Sequence, residues 1–243
     1  MGDSMWTVGF HAVLGILEGE QPIEALWIQR DRRDQRIQKI RNLARDRGVR
    51  YDMVPRARLD GVADGVAHNG CAVRSAPVAF VDLGDLISPS DEPSRLLLVD
   101  DVLDPHNLGA VLRTAAAFAI DGVVIAGPSA PPLAGATAKA AAGLLGRVPL
   151  VRERVGADAL STLRDRGYWV FAADAGGAPL TAVGRSERWV LCIGSEDQGL
   201  RAKTRSQVDE FVAIPMAEGV ESLNLSVSAG ILLWELSRSP DRC

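Results

Sequence analysis

Cysteine and histidine are scarce in this chain. Three cysteines, Cys71, Cys192 and Cys243, are spread over 243 residues with no CxxC spacing. An odd, dispersed set excludes a disulfide framework and a cysteine zinc site and fits a reducing compartment. His11, His68 and His106 lie too far apart to suggest a metal set, and no metal is expected. Apolar runs such as Leu96–Val99 and Ile231–Trp234 fall far short of the ~20 residues that a bilayer span needs. The opening Met1–Phe10 has neither a basic start nor a long apolar stretch, so no secretory leader is expected and the expected location is the cytoplasm. There is no GxxxxGK[ST] and no GxGxxG after the first strand of the second half, which disfavours P-loop and Rossmann dinucleotide sites. There is no GxSxG elbow either.

What is present reads as an ordinary globular protein. Hydrophobic residues are 47% and charged residues 24%, enough for a sizeable core and incompatible with disorder throughout. The formal charge of −4 argues against indiscriminate coating of nucleic acid. That charge is unevenly distributed. Residues 1–77 carry 12 basic and 10 acidic side chains, and residues 30–58 alone carry 11 basic and 4 acidic. The acidic, Pro- and Ser-rich stretch 78–94 reads as a linker between a domain over 1–77 and a domain over 95–243.

The first domain reads as a small α/β unit. Helices are expected over Val8–Leu17 and Arg33–Arg47, with strands over Ala25–Gln29, Val49–Val54 and Cys71–Arg74. Arg32, Arg36 and Lys39 fall at i, i+4 and i+7, as on one side of a helix. Such a face is a solvated surface or a phosphate-binding one.

In the second domain, apolar strands over Leu96–Asp100, Val123–Ala126, Val148–Val151, Tyr168–Ala173, Trp189–Gly194 and Phe211–Ile214 alternate with helices. The helices are expected over Leu108–Ala119, within Pro132–Leu145, over Ala157–Arg166 and over Ser222–Ser237. Alternation with continuous apolar strands implies an α/β fold with a covered parallel sheet. The last helix is apolar nearly all round, with Leu223, Val227, Ile231 and Trp234 on one side and Leu225, Ala229, Leu232 and Leu236 opposite. It is therefore expected to be enclosed by its own domain, a partner subunit or both.

Ligands of open parallel sheets bind at the carboxyl ends of the strands. Three segments there stand out. In Asp104–Ala115, Asn107 is a candidate helix cap, Gly109 permits close backbone approach, and Arg113 is isolated in an apolar helix. In Ile193–Leu200, Gly194 and Gly199 bracket Glu196 and Asp197, and such a loop can offer backbone groups to a ligand. In Ile214–Gly230, a strand end, Pro215 and a polar loop lead into the last helix. Ser222, helped by Glu221, is its expected cap, and Asn224 is a second amide just inside it.

Taken together, Asn107-x-Gly109-x-x-x-Arg113, Gly194-x-Glu196-x-x-Gly199 and Ile214-Pro215-Met216…Ser222-Leu223-Asn224-x-Ser226 resemble the SpoU/TrmH group of SPOUT RNA methyltransferases over about residues 95–238. The first 77 residues resemble the L30e-like RNA-binding domain of the RlmB-like branch, through Gly9-Phe10-His11, Leu59-Asp60-Gly61 and His68-Asn69-Gly70. The sequence departs from that branch in three places. Asn69 stands where Gln is usual and Ala119 where Gly is usual, and a usual Glu-His pair is missing from Ala141–Pro149.

The resemblance implies a trefoil-knotted SPOUT domain that binds S-adenosylmethionine, and a homodimer with active sites at the subunit interface. It implies 2′-O-ribose methylation of ribosomal RNA, a guanosine of 23S rRNA being the leading target. By motif position, Asn107, Arg113, Glu196, Ser222 and Asn224 correspond to the catalytic set, and Gly194, Ile214 and Leu223 to cofactor-contacting positions. Under that reading Arg32, Arg36 and Lys39 become candidate RNA contacts. Arg113 would clamp a phosphate and stabilise developing negative charge. Alternative readings are a tRNA ribose methyltransferase, an antibiotic-resistance rRNA methyltransferase, and a non-catalytic RNA-binding relic. The motif residues, all intact, argue against the relic.

Overall fold

The computed structural model describes residues 5–19, 21–63, 65–89, 92–179, 186–220 and 222–238. Cys243 and the helper role for Glu221 lie outside the described residues, as do 90 and 91 of the expected linker. The chain forms two compact units. One comprises the chain up to Val78 with Pro132–Arg147; the other comprises Ala79–Pro131 and the chain from Val148 onward.

The first unit is a four-stranded sheet of β1 (Met5–Val8), β2 (Ile23–Gln29), β3 (Asp52–Val54) and β4 (Cys71–Ser75), in the order β1-β4-β2-β3. Only β2 and β3 run parallel. Helices α1 (Phe10–Glu18) and α2 (Gln35–Asp46) cover one face through Val13, Leu17, Ile37 and Ile40, packed on Leu26, Ile28 and Val73. Helix α3 (Arg56–Ala63) covers the other, with Leu59 against Val54 and Ala72. Helix α2 starts at Gln35 because the Asp34 carboxylate accepts from the Ile37 N–H at 3.1 Å. Arg32 therefore precedes the helix and does not share a helical face with Arg36 and Lys39. At the other end of α2, the Arg47 guanidinium donates to the carbonyls of Ile16 and Gln21, both at 2.6 Å, tying the helix to the end of α1.

Helix α5 (Gly135–Ala140) packs into this unit and not with the second sheet, to which the sequence pattern assigns it. The backbones of Gly143 and Gly15 meet there. A Cβ on Gly143 would stand 2.5 Å from the Ala12 carbonyl, so only glycine permits the approach.

The second unit is a six-stranded, all-parallel sheet in the order β10-β8-β9-β5-β6-β7. Its strands are β5 (Ser94–Asp100), β6 (Gly122–Ala126), β7 (Leu150–Glu153), β8 (Trp169–Pro179), β9 (Arg188–Ile193) and β10 (Glu210–Ala213). Leu96, Leu98, Val124, Val190 and Cys192 are buried on one side of the sheet under Leu160 and Leu163 of α6 (Gly156–Asp165). Helix α7 (Ala202–Arg205) is a single turn. Helix α4 (Pro105–Ala117) packs against α8 (Leu225–Ser237).

The stretch 78–94 is no free tether. The Val81 N–H donates to the Leu150 carbonyl at 2.9 Å, and Leu86 is buried against Gly122, where a Cβ would stand 2.6 Å from it. The buried Arg188 guanidinium donates to the Pro89 and Glu92 carbonyls at 2.6 and 2.9 Å and stacks over Tyr168.

Two expected caps are displaced. Asp104, not Asn107, caps α4: its carboxylate accepts from the His106 and Asn107 N–H groups at 3.0 and 3.3 Å, with Pro105 at the first helical position. Asn224, not Ser222, caps α8, accepting from the Ser226 N–H at 3.0 Å. Helix α8 is enclosed on one face only. Leu225, Ala229, Leu232 and Leu233 are buried, whereas Val227, Ile231 and Trp234 are 49%, 38% and 57% exposed.

Candidate functional site

The site is built at the carboxyl ends of the parallel strands. The sheet runs from β5 to β6 and β7 on one side and to β9, β8 and β10 on the other, so the loops after β5 and β9 diverge at a topological switch point. Asp100, at the end of β5 and wholly buried, ion-pairs with Arg201. The same carboxylate accepts from the Arg201 backbone N–H at 3.1 Å. This pair, buried on the Asp100 side, fastens the end of the loop after β9 to the end of β5, and the hydrogen bond that Arg201 donates to Asp100 holds the guanidinium more firmly protonated than usual.

Within that loop, Ser195 and Gly199 exchange backbone hydrogen bonds at 3.1 and 2.9 Å. A Cβ on Gly194 would stand 2.1 Å from the Gly199 backbone, so glycine at 194 is a condition for closing the turn. The closed turn delivers Glu196 to the start of α8. Its Oε1 accepts from Asn224 Nδ2 at 3.0 Å and from the Leu225 N–H at 3.1 Å. A carboxylate at a helix N-terminus satisfies an orphan donor and favours the helix dipole.

Asn224 also donates through Nδ2 to Asn107 Oδ1 at 3.0 Å, and its Oδ1 accepts from the Ser226 N–H and hydroxyl. Its amide is thus committed at both ends. One side chain joins the loops after β5, β9 and β10. Asn107 sits inside α4, 7% exposed.

A cavity of about 360 Å³ opens beside this network. Gly194, Glu196, Ile214, Ser222 and Leu223 line it, so the three expected cofactor positions and two of the expected catalytic ones come together. Ser222 makes no hydrogen bond among the described residues. Asn107 and Asn224 stand behind the cavity wall, joined to it through Glu196. Arg113 neither lines the cavity nor bonds to the other four. It is exposed on α4 and has no partner among the described residues.

Asp174 and Ser228, which the motifs do not include, also line the cavity, as does Met216 of the third motif. Asp174 had a usable signal: it is an acid immediately following the apolar run Tyr168–Ala173, although the strand itself continues to Pro179. A hydrogen bond from Arg205 at 2.5 Å, and a second from the Gly176 N–H, hold its carboxyl below the usual range. Among the described residues, the thiols of Cys71 and Cys192 do not line the cavity. Burial pushes Cys71 up to about 12, and Cys192 is raised as well by burial within β9.

In the first unit, Arg32 pairs with Asp34, the Arg36 guanidinium lies 5.5 Å from the Phe10 ring, and Lys39 is exposed on α2. No helix among the described residues is long and apolar enough to cross a membrane.

Comparison with known proteins adds the following. Residues 94–234 match the model of the SpoU rRNA Methylase family, and residues 6–80 match a model described as RNA 2′-O ribose methyltransferase substrate binding. A Synechocystis protein named as an uncharacterized tRNA/rRNA methyltransferase is 36% identical over 95% of this chain, which spans 61% of that protein's length. A Staphylococcus haemolyticus protein assigned to the TrmH family of tRNA/rRNA methyltransferases is 34% identical over 95% of this chain and 94% of its own length. Among solved structures, the SpoU methyltransferase AviRb from Streptomyces viridochromogenes, in complex with AdoMet, superposes with a TM-score of 0.78. It is 23% identical over 96% of this chain and 89% of its own, a likeness of fold.

Proposed function

The chain belongs to the SpoU rRNA methylase family, and on that premise we propose that it methylates a ribose 2′-hydroxyl of RNA with S-adenosylmethionine as donor, in the cytoplasm, with 23S rRNA as the substrate. The observation that carries this reading is the single hydrogen-bonded network joining Asn107, Glu196 and Asn224 beside a cavity lined by Gly194, Ile214, Ser222 and Leu223.

The residues fit the cofactor. The cavity volume of about 360 Å³ falls within the range of small-molecule sites. Val212, Ile214, Met216 and Leu223 offer apolar wall for a heteroaromatic ring, while Ser195, Ser222, Ser228 and Asp174 offer polar groups. When bound, the cofactor supplies a methyl group already activated on a sulfonium, so the protein needs only to align the acceptor and dispose of its proton.

Ser222, whose hydroxyl has no partner among the described residues and stands on the cavity wall, orients the ribose hydroxyl. Asn224 is a positioning residue in this chain, because contacting substrate would require it to release Asn107, Glu196 or Ser226. Asn107 acts through Asn224 in the same way. Arg113 holds a substrate phosphate and stabilises the ribose oxygen as its proton passes to solvent water. A guanidinium keeps its own proton above pH ~12 and is a poor general base.

The homodimer belongs to the same proposal. Arg113 does not line the cavity of its own chain, and the exposed stripe Val227, Ile231 and Trp234 lies on α8, which packs against the helix carrying Arg113. A second copy covering that stripe completes the site. The threading of the carboxyl-terminal segment into a knot goes with the family reading.

The test compares wild type with Arg113→Ala for S-adenosylmethionine affinity by calorimetry and for methyl transfer to 23S rRNA and, separately, bulk tRNA. The expected outcome is unchanged cofactor affinity with transfer to 23S rRNA reduced at least a hundredfold. Near-full turnover by Arg113→Ala would remove that residue from the mechanism, and transfer to tRNA alone would move the substrate.

A further inference from the structure

The first unit contains a polar cleft of about 510 Å³ that the basic face of α2 does not line. It lies between the turn after β2, helix α3 and the turn before β4, and Gln29, Arg32, Arg56, Asp60, His68 and Asn69 line it.

Its floor is rigid. The Gly70 N–H donates to His68 Nδ1 at 3.0 Å, which places the ring proton on Nε2, 3.1 Å from Asp60 Oδ1. The buried histidine thus locks the turn to α3, and Asn69 is held at φ +50°, a conformation asparagine tolerates well. The Arg32 stem lies across Gly70, where a Cβ would stand 2.6 Å from its Cδ, and Asp34 engages its Nε. The two terminal nitrogens of Arg32 make no hydrogen bond among the described residues. Arg56 is largely exposed, with its Nε 3.7 Å from Asp60. The Gln29 amide has no partner among the described residues, and Asn69 makes only one long contact, at 3.5 Å, to the Ala67 carbonyl.

We propose that this cleft of Gln29, Arg32, Arg56 and Asn69 binds one unstacked nucleotide of a single-stranded RNA segment. The inference rests on the RNA reading of the preceding subsection and deepens it. Two arginines with free donors, Arg32 held over Gly70 by Asp34 and Arg56 exposed at the rim, suit consecutive phosphates. Two side-chain amides with open donors and acceptors suit the edge of an unpaired base, which is how single-stranded RNA is read. A concave pocket beside the arginines favours a splayed nucleotide over the smooth wall of a duplex. Arg32, which the sequence pattern places on the helix face with Arg36 and Lys39, belongs to this cleft instead.

The test uses the full chain and fluorescein-labelled short oligo(A), oligo(C) and oligo(U), with a duplex of matched length, in anisotropy titrations over a salt series. Arg56→Gln and Arg32→Gln are expected to weaken binding to every single strand about tenfold and to lower the slope of log affinity against log salt by about 0.7 each. Gln29→Ala and Asn69→Ala are expected to change the ranking among the homopolymers about tenfold while leaving the slope intact. Arg45→Gln, an equal charge change outside the cleft, serves as control, and thermal unfolding reports folding of each variant. Wild-type affinity and slope in both arginine variants, or tighter binding of the duplex, would overturn the cleft. Cofactor binding is measured on the same preparations. RNA binding without cofactor binding counts against the methyltransferase reading and not the cleft, whereas cofactor binding with wild-type behaviour of the arginine variants counts against the cleft alone.

Discussion

At the scale of single residues, the site depends on one amide. Asn224 uses its donors on Asn107 and Glu196 and its acceptor on Ser226. Asn107→Ala removes a buried acceptor and leaves a donor with one partner fewer, a loss of about 1–2 kcal/mol measurable by urea unfolding. Methyl transfer should fall with it, because the loop carrying Glu196 loses its registration. Arg113→Ala, by contrast, touches an exposed side chain with no partner among the described residues, so stability should stay within about 0.5 kcal/mol.

A pH effect belongs at this scale too. Asp174 is held below its ordinary value of 3.8, chiefly by the hydrogen bond from Arg205. A depressed folded-state pKa contributes stability that is in place above the unfolded value and is lost as pH falls through the folded one. The pair is therefore fully formed at neutral pH and fails only in acid. Arg205→Gln should return the Asp174 carboxyl toward its ordinary value in an NMR titration; no movement would show that the guanidinium does not hold it. The motifs singled out Gly194, Glu196, Ile214, Ser222 and Leu223, which line one cavity, but they also grouped Arg113, which does not, and left out Asp174. Asn107 and Asp104 can each cap a helix, and Ser222 and Asn224 likewise. Asp104 had a readable advantage in being followed by Pro105. Nothing local distinguished Asn224, whose place is fixed by side chains 28 and 117 positions away.

At the scale of elements, the buried strands were the readable part. Leu96–Val99 and Val123–Ala126 are continuously apolar because helices cover both faces of a parallel sheet, and Leu98→Ala should cost about 2–5 kcal/mol. Helix α2 was legible from Ile37, Ile40 and Ala44 on one face. Strand β1, helix α3 and the single turn α7 were not. Strand β1 is four residues long and exists by pairing with β4, more than sixty positions away. Helix α3 buries only Leu59 and Ala63, too few for a period. The far half of β8 contains Gly176 and Gly177, poor strand formers, and is held by β10: a Cβ on Gly177 would stand 2.6 Å from the Phe211 backbone.

Ala119, which stands where the motif resemblance leads one to expect glycine, sits at φ +51°. The left-handed conformation explains the usual glycine and charges a side chain about 1 kcal/mol or more. Ala119→Gly should raise stability by up to about 1 kcal/mol, partly offset by unfolded-state entropy. A fall in melting temperature would contradict the strain.

At the scale of the whole molecule, the sequence showed the two-part charge distribution and the α/β character, and it marked the last helix as apolar all round. It could not divide that helix between an intramolecular face and an exposed one, because Leu232 and Ile231 are equally apolar and only packing separates them. Nor could it assign Pro132–Arg147 to the first unit, since that depends on the meeting of Gly15 and Gly143. If a second copy covers Val227, Ile231 and Trp234, Trp234→Glu should give a monomer in analytical ultracentrifugation and lose methyl transfer while keeping its fold by circular dichroism. A dimer that survives the substitution would place the partner elsewhere.

Transfer of a methyl group to a ribose oxygen of ribosomal RNA, as proposed, leaves a chemical mark that can be read in the product. The most direct measurement incubates the protein with methyl-labelled S-adenosylmethionine and protein-free 23S rRNA, then hydrolyses the RNA in alkali. A 2′-O-methyl group blocks cleavage at its own phosphate, so the account predicts label in alkali-resistant dinucleotides and its loss in Arg113→Ala. Label recovered in mononucleotides would mean methylation of a base and would contradict the account.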